Sequence, residues 1–348
     1  MSDIDRQILS EIREAPDVAR RQAQGFAQSA ADLLRRLERR APDVVVTCAR
    51  GSSAHAATFA KHLIEHRLGI PCAAAAPNIA SIYHRPLRLK HQLFLAISQS
   101  GRSDDLVESA SLARTAGAVT VALVNETDSP LASACELVLP IGAGPERSVI
   151  ATKTFVATLV ALLRLTAEWC ADNALKSALE RLPERLASAS GLPSGDRLWR
   201  AAGDALGPAE SVVTIGRGPT LAIAREAALK LKEACSLHAE AFSGAEFMHG
   251  PVSLVSDAYP LLVFAPGDAA GEGLRTLAAD LCRKGAAVFI TAHGAIAPGI
   301  LPMLAPDHPE TDAVCQIQAF YAFMVELAQR RGTNPARPRH LRKITRTR

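Results

Sequence analysis

The sequence predicts an α/β protein built from parallel sheets flanked by helices and arranged as two similar units. Three observations carry this. Short apolar runs of strand length alternate with longer stretches of helical periodicity. The pattern stops at a Gly/Pro/Ser-rich segment, Gly191-Leu192-Pro193-Ser194-Gly195-Asp196, and then restarts. Landmarks also repeat at a near-constant offset. Thr47-Cys48-Ala49-Arg50-Gly51-Ser52 corresponds to Thr214-Ile215-Gly216-Arg217-Gly218-Pro219, 167 residues on, and Gly101 corresponds to Gly267, 166 residues on. A duplicated α/β unit accounts for both.

The elements follow in order. Residues 9–40 read as helical and surface-exposed, running from Glu11, Arg13 and Glu14 into Arg35, Arg36, Arg39 and Arg40. A strand is predicted over 44–49 and a helix over 54–66, with strands over 92–97, 119–124 and 137–140. Residues 150–169 form a long apolar helix. After the Gly/Pro/Ser segment, 211–215, 261–265 and 287–291 read as strands and 221–234 as a helix. Short apolar strands separated by helices signal a parallel sheet covered on both faces. The expected domains are 1–190, 191–332 and a C-terminal tail over 333–348.

Composition narrows the function classes. The chain has 348 residues, 48% of them hydrophobic and 21% charged, enough for a large core. No run approaches the ~18 uncharged apolar residues of a membrane span, and the polar start Met1-Ser2-Asp3-Ile4-Asp5-Arg6 lacks a signal-peptide pattern. A cytoplasmic protein with no membrane partner is expected. The seven cysteines contain no CxxC pair and the ten histidines no HExxH spacing, so neither a metal nor another cofactor is expected. The net charge of +4 conceals a basic tail: Arg330, Arg331, Arg337, Arg339, Arg342, Lys343, Arg346 and Arg348 occur without an acid, leaving the preceding 329 residues at about −4. Such a tail suits nucleic acid or an anionic substrate. With three tyrosines and two tryptophans for base stacking, no nucleic-acid partner is expected.

Five segments carry chemistry. Ser98-Gln99-Ser100-Gly101-Arg102-Ser103 follows an apolar strand and precedes Asp104-Asp105, a helix start with acids in its first turn. A strand, a hydroxyl-rich glycine turn and a helix N-terminus together make an anion site, because free N–H groups and the helix dipole converge there. Arg50-Gly51-Ser52-Ser53 is a second such turn; in a parallel sheet both fall at the carboxyl edge, where ligands bind. For each, the alternative is an ordinary serine-capped turn. Glu226, Lys230 and Glu233 lie at i, i+4 and i+7, hence on one helical face. A solvated salt-bridge row is one reading, and a carboxylate set beside a lysine for general-base work is the other. His249 in Phe247-Met248-His249-Gly250-Pro251 reads as a loop histidine. Lys343 lies among cations in the tail, which is one route to a nucleophilic amine, the alternative being a frayed terminus.

Taken together, these segments resemble the sugar isomerase (SIS) family, most closely the isomerase half of glucosamine-6-phosphate synthase. The landmarks are Gly51-Ser52-Ser53, Ser98-Gln99-Ser100-Gly101, Gly144-Pro145-Glu146, Ala151-Thr152-Lys153, Glu226 through Glu233, His238-Ala239-Glu240-Ala241-Phe242, Glu246 through Pro251, and the tail around Lys343. The resemblance implies two flavodoxin-like SIS domains with a C-terminal tail, and a homodimer with a shared active site. It implies sugar-phosphate binding by Ser52, Ser53, Ser98, Gln99, Ser100, Ser103 and Ala151, with Glu226 and Lys230 as supporting polar groups. Glu233 falls on the base that moves a proton between C1 and C2. His249 falls on the ring-opening histidine, supplied in the family by the neighbouring subunit, and Lys343 on the lysine able to form an imine with an open-chain ketose.

The departures from the synthase shape the expected reaction. About 40 residues precede the first predicted strand and position 2 is Ser2, so no glutaminase is expected in this chain. Arg102 stands where the synthase has an acid and Arg342 where it has a small residue, a pattern that resembles the stand-alone SIS deaminases. The expected function is a glucosamine-6-phosphate deaminase/isomerase. The alternatives are amination of fructose 6-phosphate, a related amino-sugar-phosphate deaminase, or a non-catalytic phosphosugar sensor.

Overall fold

The structure, a computed structural model, describes residues 3–292, 299–336 and 338–343. Its described strands form two five-stranded sheets in which every pairing is parallel. The first contains β1 (Val45–Ala49), β2 (Cys72–Ala74), β3 (Leu93–Ser98), β4 (Val119–Val124) and β5 (Leu137–Pro140), in the spatial order β2-β1-β3-β4-β5. The second contains β6 (Ser211–Gly216), β7 (His238–Ser243), β8 (Pro260–Phe264), β9 (Ala287–Thr291) and β10 (Ile300–Leu301), in the order β7-β6-β8-β9-β10. Both orders are the flavodoxin-like 2-1-3-4-5, whose switch point lies between the first and third strands. The expected fold class is therefore the observed one.

The helices are α1 (Asp3–Arg13), α2 (Ala15–Arg39), α3 (Gly51–Leu68), α4 (Pro77–Ser81), α5 (Asp104–Thr115), α6 (Pro130–Ala134), α7 (Lys153–Trp169), α8 (Asn173–Gly191), α9 (Arg197–Leu206), α10 (Thr220–Cys235), α11 (Gly244–Met248), α12 (Ala269–Arg283) and α13 (Pro309–Arg330). The chain divides into two compact units that interleave along the sequence. One holds the first sheet and comprises residues 17–147, 153–176 and 342–343; the other holds the second sheet and comprises 3–16, 148–152 and the described residues of 177–341. No described helix is long and apolar enough to cross a membrane.

Within the first unit, the buried faces of β1, β3 and β4 pack on α5 and α6 through Val46, Cys48, Phe94, Ala96, Leu106, Ala110, Ala122, Val124 and Leu131. The other side is closed by α7, which is buried along nearly its whole length, against α3. A helix apolar all round belongs in an interior. The second unit repeats the plan, with Val213, Ile215, Leu261, Val263 and Ile290 packed on Leu274, Ala278 and Leu281 of α12. Its α10 packs against α13, a 22-residue helix that is almost wholly buried.

Three expectations need correction. The N-terminal segment is two helices rather than one surface helix, and it buries an apolar stripe: Ile8, Ile12, Ala15, Val18, Ala19, Phe26, Leu33 and Leu37 are inside. The charges at 35–40 occupy the opposite face and masked that stripe. The buried Gln22 amide of α2 donates to Ile141 O and Ala157 O at 2.6 and 2.8 Å. Second, α3 begins at Gly51, so Ser52 and Ser53 stand in its first helical turn and not in a loop before it. Third, β7 was missed because it is an edge strand with exposed His238 and Glu240; β2 and β10 are too short to show a period.

One glycine fixes the turn after β3. Gly101 sits at φ +61°, and a Cβ there would come within 2.1 Å of Ser129 Oγ and 2.6 Å of Ser129 Cβ. Gly142 has a similar φ of +68° with open space around it. Gly101→Ala is expected to cost about 2 kcal/mol or more, and Gly142→Ala only about 1 kcal/mol. Urea unfolding of the two variants checks this; equal losses would show that the Ser129 contact does not constrain the turn.

Candidate active site

The first unit presents its two serine-rich turns side by side. β1 pairs with β3, with Ala49 opposite Ile97, so the turn entering α3 and the turn entering α5 leave adjacent strands at the same edge and flank the switch point. Ser98 is buried at the end of β3, and its Oγ accepts from Gly101 N at 3.0 Å. Ser100 Oγ accepts from Arg102 N at 3.3 Å. Gln99 and Ser103 are half-buried and Arg102 is exposed.

The two helix starts share a feature that the sequence does not display. Ser103 is the N-cap of α5 and Arg50 the N-cap of α3, yet neither side chain bonds an amide of its helix. Ser103 therefore does not cap α5 with its side chain, while Ser98 and Ser100 bond amides within the turn. A helix start without a side-chain cap keeps N–H groups for an anion. In the second unit one of the two corresponding helix starts differs: α10 begins after Pro219 with no side-chain cap, but α12 is capped. At the turn after β8, Asp268 caps α12 by accepting from Ala270 N at 2.9 Å. At the turn after β6, the buried Thr220 hydroxyl is bonded to Arg217 N and donates to Phe264 O. Of the two turns, the one after β8 thus has a helix start satisfied by its own side chain.

The tail lysine belongs to the first unit. Lys343 Nζ lies 3.5 Å from Glu146 Oε2, whose side chain is fully buried beyond β5 and also accepts from Thr154 N at the start of α7. The sequence motif around Glu146 does not mark it as a site residue. Its partner stands 197 residues away, so spacing gave no sign of the pairing. Of the other basic residues in the tail, Arg331 donates to four carbonyls, those of Cys235, Leu206, Gly207 and Ala209, and Arg330 pairs with Asp204. These two cations are structural. Arg337, Arg346 and Arg348 lie outside the described residues.

In the second unit, the Glu226–Lys230–Glu233 row is not a solvated face. Side-chain exposure is 0% for Glu226, 1% for Lys230 and 19% for Glu233. Lys230 Nζ lies 2.5 Å from Glu233 and 3.4 Å from Glu226, and the Tyr321 hydroxyl of α13 donates to Glu226 at 3.2 Å. Burial alone would push the Lys230 ammonium down, but the two carboxylates outweigh it and hold it above its ordinary value. Tyr321 is a further site residue that the sequence did not reveal. His249 follows α11 and is exposed, with Gly250 (φ +143°) after it. Ala151 is half-buried within the 148–152 stretch of the same unit.

Comparison with known proteins gives this arrangement a family. The SIS domain model matches residues 40–167 and 205–297, one match per sheet. The chain belongs to the SIS domain family. A glutamine–fructose-6-phosphate aminotransferase [isomerizing] of Sulfolobus acidocaldarius is 31% identical over 344 residues, covering 97% of this chain and 56% of that protein. The chain thus spans about half the length of such curated relatives. A candidate phosphosugar isomerase structure from Silicibacter pomeroyi DSS-3 superposes with a TM-score of 0.89 at 42% identity, covering 94% of this chain and 99% of that one. A glucosamine-6-phosphate deaminase structure from Thermotoga maritima superposes with a TM-score of 0.78 at 20% identity, covering 98% and 100% of the two chains; this shows a shared fold.

Removing the lysine from the buried row leaves two carboxylates without their counter-ion. Lys230→Met is expected to lower stability by about 3–5 kcal/mol, as breaking a buried ion pair does, with part of the loss recovered in the Glu226→Gln/Lys230→Met double variant. Chemical denaturation tests this, and a loss below ~1 kcal/mol would show that the row is not ionised as described.

Proposed function

We propose that this SIS-family chain is a phosphosugar aldose–ketose isomerase that converts glucosamine 6-phosphate and water to fructose 6-phosphate and ammonia. The observation that carries the reading is Glu233: a carboxylate bonded to a sealed ammonium, yet itself still open at 19% exposure. Such a group can accept and return a substrate proton while Lys230 and Glu226, closed to the substrate, fix its position.

The uncapped turns supply the other half of the reading. A phosphate ester fits the hydroxyls of Ser52, Ser53, Ser98, Ser100 and Ser103, the Gln99 amide and the amides at the starts of α3 and α5. Anchoring the phosphate holds the reacting carbons in a fixed orientation for the proton shift. His249 assists opening of the sugar ring. Glu233 removes the C2 proton of the open-chain aldehyde and delivers it to C1, so that the C2 amine becomes a C2 imine. Water adds to that carbon and ammonia leaves, directly or after the Lys343 amine has displaced it as an enzyme-bound imine. Ala151 borders the sugar, and Glu146 orients the Lys343 amine. Phosphate binding thus falls to the serine-bearing segments at the starts of α3 and α5, proton transfer to Glu233 and imine chemistry to Lys343.

A homodimer is part of the same reading. His249 is flanked by exposed Met248 and Leu254, 45% and 52% accessible, an apolar setting suited to a residue offered to a second copy. Mixing Glu233→Gln with His249→Ala protein is then expected to restore activity that neither has alone. No recovery after subunit exchange would contradict a shared site.

The reaction is tested by incubating the protein with glucosamine 6-phosphate and assaying ammonia and fructose 6-phosphate, which are expected in equal amounts. Tight phosphosugar binding without product would identify a sensor, and faster turnover of another amino-sugar phosphate would move the substrate. Glu233→Gln is expected to lower kcat by at least about 100-fold while phosphosugar still binds. Full activity in that variant would remove Glu233 as the base.

A further inference from the structure

The two serine-bearing helix starts are joined by an ion pair that the proposed proton transfer does not use. Arg50 donates through Nε and Nη2 to the same oxygen of Asp105, at 2.9 and 2.7 Å. Asp105 is 1% exposed and Arg50 50% exposed. Arg50 ends the turn after β1, and Asp105 is the second residue of α5, just past the turn after β3.

That placement sets up an electrostatic conflict. A carboxylate in the first turn of a helix is favourable to the helix, because it faces the positive end of the dipole. The same end of α5 is the one assigned to the substrate phosphate. A phosphate ester carries −1.5 to −2 charges at pH 7, and a buried carboxylate one residue from the anion-binding amides repels it with little solvent screening. Serine hydroxyls can bond a phosphate but cannot offset a fixed negative charge. Arg50 can, since its guanidinium stays protonated and bonds the offending oxygen twice.

We propose that Arg50 is the charge-compensating residue of the phosphate subsite, cancelling Asp105 so that the turn accepts a phosphate dianion. The inference rests on the assignment of residues 98–103 to the sugar phosphate. Arg50 is a positioning and specificity residue here. It acts by neutralising Asp105, and the ligand class it selects is a dianionic phosphate monoester over a neutral sugar or a singly charged sugar acid.

Calorimetric titration of glucosamine 6-phosphate, and separately of inorganic phosphate, into four full-length proteins decides the matter. Arg50→Gln is expected to raise Kd about tenfold, or ~1.4 kcal/mol, while Asp105→Asn binds at least as tightly as the wild type and the double variant returns to within a factor of about three of it. If the pair only ties the turns together, Asp105→Asn and the double variant bind as weakly as Arg50→Gln, which overturns the proposal. Arg50→Lys keeps the charge and is expected to stay near the wild type; binding as weak as that of Arg50→Gln overturns the proposal even if Asp105→Asn fails to fold. Absence of phosphosugar binding by the wild type would instead overturn the phosphate assignment itself, and this inference with it.

Discussion

The constraint on which the rest of the protein depends is the parallel pairing of every described strand. A parallel neighbour cannot be reached by a tight hairpin, so the chain must cross over after each strand, here mostly through a helix. Every turn that follows a strand therefore falls at one edge of its sheet, and the 2-1-3-4-5 order opens a crevice there between the first and third strands. The serine turns after β1 and β3 occupy that crevice because of topology. Their sequences then decide what the crevice does.

The duplication shows how that decision is made. In the two units the strand that starts each sheet carries a threonine with an equivalent bond: Thr47 Oγ1 to Ala73 O and Thr214 Oγ1 to Glu240 O, both at 3.4 Å. The frames are alike, and the turns differ. In the first unit the N-caps of α3 and α5 bond no amide of their own helices. In the second, Asp268 caps α12 by accepting from Ala270 N, while α10 has no side-chain cap. A ligand at the start of α12 would have to replace a bond already made there. The second unit carries the buried ion row, whose lysine is held by two carboxylates on the buried side of α10.

Much of this was legible in the sequence, for physical reasons. Fully buried parallel strands read as continuous apolar runs, which made residues 93–97 plain, and an offset of 167 residues exposed the duplication. Edge strands do not obey that rule, and β7 alternates exposed and buried residues. The stripe of α2 was hidden by arginines on its opposite face. Helical spacing placed Glu226, Lys230 and Glu233 on one face, but spacing does not report burial, and burial separates a wet salt-bridge row from a sealed one. Partners distant in sequence were beyond reach: Tyr321 meets Glu226 across 95 residues and Lys343 meets Glu146 across 197.

The central claim is that the open turn of the first unit holds the phosphate of a sugar on which Glu233 acts. A crystal structure of the Glu233→Gln protein with glucosamine 6-phosphate tests it most directly. The account predicts the phosphate against the amides and hydroxyls of residues 98–103, with C1 and C2 of the sugar within hydrogen-bonding reach of residue 233. A phosphate bound elsewhere, or a sugar whose C1 and C2 lie far from residue 233, would contradict it.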